Sequence, residues 1–190
     1  MTARHRQEWE VIARRPIFSG GPILEVAVEH VRMLDGREVP DYYQIRMADF
    51  ALVFATTETG DVIALRQYKH GPRRECLAFP GGALTTGESP LEAARRELME
   101  ETGYTSERWS TYGHYVTNSN QHCNTAYLFR ADSCRRVSAP TGPDLEQPEL
   151  IVGPASRLLQ PGALQQFGSI SHVALLMLAC NPDVAAAPVR

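Results

Sequence analysis

The stretch from Gly82 to Tyr104 constrains this chain more than any other, because a helix there carries its own start and stop signals. Ser89 is an N-cap, Pro90 stands at the first helical position, where its missing N–H costs nothing, and Glu92 completes a Ser-x-x-Glu capping box. Gly103 supplies the left-handed residue that ends the helix. At about 100° per residue, Leu91, Ala94, Leu98 and Thr102 share one arc, a stripe suited to packing on a sheet. Glu97, Glu100 and Glu101 share a separate arc.

Like charges three and four residues apart repel, by a few tenths of a kcal/mol each in water and by more when partly desolvated. A positive group is therefore expected among the three glutamates. Arg96 reaches Glu100 one turn on, but one guanidinium does not neutralise the set, whereas a divalent cation does. Carboxylate oxygens are hard ligands that suit Mg²⁺ or Mn²⁺ rather than zinc. The competing reading is a solvated acidic face balanced by Arg95 and Arg96.

The spacing decides between them. Gly82, five residues, Glu88, seven residues, then Arg96-Glu97-Leu98-Met99-Glu100-Glu101-Thr102-Gly103-Tyr104 resembles the complete signature of the Nudix hydrolase family. The resemblance implies an α/β fold, a mixed sheet sandwiched between helices, and hydrolysis of a nucleoside diphosphate linked to another group. Mg²⁺ or Mn²⁺ is the implied cofactor. Glu97 and Glu101 match the family's main metal ligands, Glu100 a position that binds metal or activates water, and Gly81 one whose backbone carbonyl often completes the metal shell. Arg96 would orient the glutamates, and Glu88 would brace the loop or assist a metal. A pyrophosphate repels nucleophiles, so such a site works largely by charge neutralisation and positioning.

The chain of 190 residues is expected to hold one main domain, with 43% hydrophobic and 22% charged residues, as in soluble globular proteins. A net charge of −3, with no strongly basic stretch, argues for small nucleotides and against a nucleic acid polymer. No apolar run approaches the roughly 18 residues of a membrane span, and the N-terminus lacks a signal-peptide core. A cytoplasmic protein with no membrane partner is expected. Cys76, Cys123, Cys134 and Cys180 show no metal-binding spacing and read as free thiols.

Three strand-like runs, Val11 to Phe18, Ile23 to Val31 and Val39 to Arg46, are separated by turn signals and predict an antiparallel appendage over residues 1–48. Such a sheet has little core of its own. In the ADP-ribose pyrophosphatase branch, which this layout resembles, N-terminal strands help build a homodimer and the nucleobase pocket. Trp9, Tyr42 and Tyr43 are candidates for base stacking or for packing. The main domain is expected over residues 49–180, with strands at Ala51 to Thr56, Val62 to Tyr68, Glu75 to Gly82, Trp109 to Val116 and Thr125 to Ala131. A short edge strand at Leu150 to Val152, helices over Ala155 to Gln160 and Ser169 to Ala179, and a loose tail over 181–190 complete it.

The run Leu65 to His70 resembles the Arg-Gln-Tyr-Arg segment of ADP-sugar pyrophosphatases, which assigns Arg66 and Lys69 to substrate phosphates. The chain departs from that branch at Ala78, where a glutamate is usual, and in the polar loop Thr117 to Asn124, which lacks the branch's Pro, Gly and acid. Asn120, Gln121 and His122 are available there to a sugar or phosphate. In similar enzymes a loop glutamate acts as general base. The segment Ser138 to Pro148 offers Glu146 first and Asp144 third, with Glu149 just beyond it second; failing these, Glu100 takes the role. The expected reaction is cleavage of a nucleoside diphosphate sugar, ADP-ribose or a relative. Alternatives are dinucleoside polyphosphates, NADH or CoA derivatives, or a Nudix-fold binding module without turnover.

Overall fold

The computed structural model describes residues 8–142 and 148–189. In chain order its elements are β1 (Glu10–Ser19), β2 (Leu24–Arg32), β3 (Glu38–Met47), β4 (Phe50–Thr57), β5 (Val62–Lys69), β6 (Arg74–Ala78), β7 (Gly81–Ala83) and helix α1 (Pro90–Thr102). There follow β8 (Tyr104–Thr105), β9 (Arg108–Asn118), β10 (His122–Arg136), β11 (Glu149–Gly153), α2 (Ala155–Leu158), a 3-10 turn at Leu164–Gln166, α3 (Ile170–Cys180) and β12 (Ala187–Pro188). They fall into two compact units, one of residues up to 48 with 116–125, the other of 49–115 with the described residues from 126 onward.

In the first unit β1, β2 and β3 form an antiparallel meander. Every residue of β1 is exposed, and β2 fully buries only Ala27 and Val31. Cross-strand ion pairs link Arg14 to Glu25 and Glu29, and Arg32 to Glu10 and Glu38. Exposed pairs of this kind contribute little. The polar segment around residues 117–124, expected as a loop, is a tight turn instead, since β9 runs on to Asn118 and β10 starts at His122. The Asn118 side chain accepts the N–H groups of Asn120 and Gln121, and His122 and Cys123 take positive φ values of 64° and 62°. This local bonding replaces the open loop.

In the second unit β10 runs parallel to β4, and β4 is antiparallel to β5 and β7. β5 in turn is antiparallel to β6 and β11, so the sheet is mixed. Its two faces separate by alternation along β4. Ala51, Val53 and Ala55 face a cluster with Ile63, Ala94 and Leu98 of α1; Leu52 and Phe54 face another with Phe79, Phe167, Leu175 and Leu176 of α3. The sheet is thus sandwiched between α1 and α3.

Two further details depart from the sequence reading. Residues 75–82 do not form one strand: β6 ends at Ala78, and after Pro80 the chain leaves β5 and pairs with β4 as β7. Pro80 has no N–H for a ladder, and the Gly81 N–H goes to a carboxylate instead. At the end of the chain, where composition predicts a loose tail, Ala187 and Pro188 pair with Thr111 and Ser110 of β9. All four cysteines are free thiols, as expected.

Candidate active site

The site is built on α1, whose ends lie where the residues place them. Ser89 Oγ accepts the Glu92 N–H at 3.3 Å, and Glu92 Oε2 accepts the Ser89 N–H at 2.8 Å. Gly103, at φ 74°, closes the helix with its N–H on the Met99 carbonyl at 2.8 Å. Ala94, Leu98 and Thr102 are buried against the sheet. That anchorage turns the glutamate arc toward β7.

There the glycines allow a close approach. A methyl group on Gly81 would collide with the Ala51 carbonyl, and one on Gly82 would stand 2.6 Å from Glu97 Cδ. At Gly81 the obstacle is fixed backbone, and at Gly82 a side chain would displace the Glu97 carboxylate. Glu101, 9% exposed, accepts the Gly81 N–H on Oε2 at 2.8 Å.

Arg96 bonds two of the three glutamates of the arc, and Glu88 besides. Its Nη1 donates to Glu97 Oε1 at 2.6 Å and Glu100 Oε2 at 3.1 Å, while Nε and Nη2 grip Glu88 at 2.8 and 3.0 Å. Nη2 also donates to the Ala83 carbonyl at 3.1 Å, which ties the helix to β7. Glu88 accepts the Thr85 N–H and hydroxyl as well, so it braces the loop before the helix. With Arg96 as the main cause and Thr85 adding to it, the Glu88 pKa falls to about 2. The Arg96 guanidinium is held charged far above its ordinary value.

A cavity of ≈330 Å³ opens over these groups, lined by Lys69, Gly81, Gly82, Ala83, Arg96, Glu97, Glu100, Glu101 and Gly142. The structure therefore brings together the expected Glu97, Glu100, Glu101, Arg96, Gly81 and Lys69. Among the described residues no three Asp, Glu, His or Cys side chains are grouped so that they could hold a metal ion as they stand, and Arg96 and the Gly81 N–H bond oxygens of Glu97 and Glu101. The donors facing the cavity are oxygens, a chemistry that fits a hard divalent cation.

Arg66 does not line this cavity. It lies opposite Glu149 in the β5–β11 pairing, and its Nε stands 3.4 Å from Glu149 Oε2, so two residues with separate expected roles are partners. Asp144 and Glu146 lie outside the described residues. The described part of their loop reaches the cavity, since Thr141 and Gly142 donate to the Glu100 carbonyl at 2.8 and 2.9 Å. Sequence reasoning missed His172 of α3, whose Nδ1 accepts the Phe79 N–H at 3.1 Å. No local signal marks it, because its partner is 93 residues away. In the first unit Trp9 and Tyr42 meet edge to face at 5.8 Å and line a cavity of ≈300 Å³ with Gln44, Asn118 and His122; Tyr43 is outside it.

Comparison with known proteins agrees with this geometry. Residues 46–152 match the NUDIX domain. The chain is 30% identical over 129 residues to an ADP-ribose pyrophosphatase of Bacillus subtilis (strain 168), a match covering 66% of each chain, just under two thirds. It is 26% identical over 144 residues to a methanol dehydrogenase activator of Bacillus methanolicus, covering 74% of this chain and 75% of the relative. A shorter match, 50% identical over 46 residues, links it to an ADP-sugar pyrophosphatase of Mus musculus, 24% of this chain and 21% of the relative. A crystal structure of an ADP compounds hydrolase shares the fold, with a TM-score of 0.75 at 18% identity over 93% of this chain and 95% of the other. The NUDIX match spans more than half of the chain and contains α1 with all three glutamates, and so the chain belongs to the NUDIX domain family, as one of its hydrolases.

Proposed function

We propose that this enzyme hydrolyses the pyrophosphate bond of a nucleoside diphosphate sugar, ADP-ribose or a relative, to a nucleoside monophosphate and a sugar phosphate. The observation that carries this reading is the cavity shared by Glu97, Glu100, Glu101, Arg96 and Lys69. Two relatives named for ADP-ribose and ADP-sugar pyrophosphatase activity support it.

Glu97, Glu101 and Glu100, with the Gly81 backbone, are the groups that would hold Mg²⁺ or Mn²⁺. Bound there, such an ion offsets pyrophosphate charge and lowers the pKa of the attacking water. Arg96 holds Glu97 and Glu100 in place from behind. Lys69 would present a point charge to phosphate oxygens, and Arg66, paired with Glu149 in β11, is the second residue proposed for them. The Glu100 side chain is 36% exposed against 13% for Glu97, which leaves it open to take the proton of the attacking water. Glu146 is the alternative base.

The same reading makes residues 1–48 a dimerisation appendage to a catalytic domain of residues 49–180. It is supported by Trp9, Val11, Ile17 and Phe18, exposed on or beside β1, which a second copy would cover. A cytoplasmic homodimer is proposed; no helix among the described residues is long and apolar enough to cross a membrane.

The test is phosphate release, through a coupled phosphatase, from ADP-ribose, other nucleotide sugars, NADH, diadenosine polyphosphates and CoA with Mg²⁺ or Mn²⁺. Turnover of a nucleotide sugar far above the rest is expected. Preference for a dinucleoside polyphosphate, NADH or CoA would replace the substrate class.

A further inference from the structure

Lys69 belongs to two cavities. The second, of ≈200 Å³ in the same unit, is walled by Pro72, Cys76, Ala78, Ser169 and His172 besides Lys69. Its volume equals that of roughly seven liquid water molecules, room for one sugar ring or phosphate group and not for a whole nucleoside.

Three side chains on this wall can donate, those of His172, Ser169 and Lys69. His172 accepts the Phe79 N–H on Nδ1, so the neutral ring carries its hydrogen on Nε2. Desolvation between Phe79 and Phe167, with the Lys69 charge adding to it, lowers the imidazole pKa to about 4 and keeps that tautomer at neutral pH. Nε2 has no protein partner among the described residues, yet no fully buried side-chain N or O lacks one, so the Nε2–H opens onto the cavity. Ser169 Oγ accepts the Ser171 N–H as the α3 cap, which leaves its hydroxyl hydrogen to donate. Lys69 is partly buried and pairs with no carboxylate among the described residues. No acid lines the cavity, and Ala78 contributes only a methyl group.

A sugar hydroxyl donates as well as accepts, whereas an anion only accepts and gains from each charge-assisted bond. We propose that this second cavity is a subsite for an anionic group, a phosphate or carboxylate, carried on the sugar of the substrate, with Lys69 bridging that group and the pyrophosphate. The proposal rests on the pyrophosphohydrolase reading only for what tethers the anion there.

The test follows the His172 Nε2–H resonance by ¹⁵N-edited NMR in the full chain during titration with inorganic phosphate, ribose 5-phosphate and neutral ribose. Both phosphates should shift it and ribose should not. By calorimetry, His172→Phe and Ala78→Asp should each weaken phosphate binding by about tenfold or more, while His172→Gln, whose amide still donates, keeps most of it. Near-UV circular dichroism identifies the variants that fold, and if His172→Phe does not, Ala78→Asp should still weaken phosphate binding while His172→Gln keeps most of it. A His172 signal that ignores both phosphates, or moves equally with ribose, overturns the subsite even if nucleotide sugars turn over normally. A shift with phosphate but no turnover of any substrate supports the subsite and overturns the proposed reaction instead.

Discussion

Arg96 and Lys69 are the two cations lining the same cavity among the described residues, yet one is paired with carboxylates and the other is not. Arg96 is committed, with every described bond going to Glu88, Glu97, Glu100 or the Ala83 carbonyl. Lys69 stands at the end of β5 with no acidic partner among the described residues. A guanidinium with several donors in a plane suits a fixed brace, and a single ammonium on a flexible stem suits a ligand that comes and goes. Under the proposed function, the difference would separate a half of the site that is assembled before substrate arrives from a half that substrate completes.

The sharpest way to break that contrast is to remove a carboxylate. Glu100→Gln and Glu101→Gln should each lower kcat by about 10³-fold or more, with the helix content of the parent by circular dichroism, because the amide keeps the carboxylate's size both at partly exposed Glu100 and at buried Glu101. Near-normal turnover at saturating Mg²⁺ would remove that glutamate from the catalytic set. Next in size, Arg96→Ala leaves Glu88, Glu97 and Glu100 without their shared cation. Since the guanidinium is 29% exposed, we expect a loss of about 2 kcal/mol, less than for a fully buried pair. Urea titration measures it, and added Mg²⁺ should restore part of the loss if a divalent ion takes over the carboxylates.

Lys69→Met should act oppositely, raising KM by about tenfold while leaving the urea midpoint nearly unchanged. A stability loss as large as that of Arg96→Ala would erase the distinction. The smallest effect concerns pH. The His172 pKa is lowered from 6.5 to about 4 in the folded chain, so its contribution is complete above about 6.5, where both states are neutral. As pH falls from 6.5 toward 4 the unfolded chain takes up the proton first, and stability drops. His172→Phe should flatten the Tm-against-pH curve in that window, and an unchanged slope would assign the drop to other groups.

Much of this was legible because it is local. The start and end of α1 rest on Ser89, Pro90, Glu92 and Gly103, all within hydrogen-bond reach of the helix they bound. The two arcs of α1 follow from helical periodicity alone. Strands β1 to β5 lie within a residue or two of their apolar runs. The turn near residue 120 is not legible in composition, because polar residues are common to loops and hairpins and the Asn118 side chain decides between them.

By itself the sequence determined the capped helix, the spacing of the glutamates and the family's signature, since each depends on residues a few positions apart. Tertiary structure alone decided that β6 hands over to β7 at Pro80, because the Gly81 N–H is claimed by Glu101, 20 residues on. It alone paired Arg66 with Glu149 and set His172 against Phe79. Those partners meet only when the sheet is assembled and α3 closes over it, and no period or cap in one segment records which distant group will satisfy a given donor.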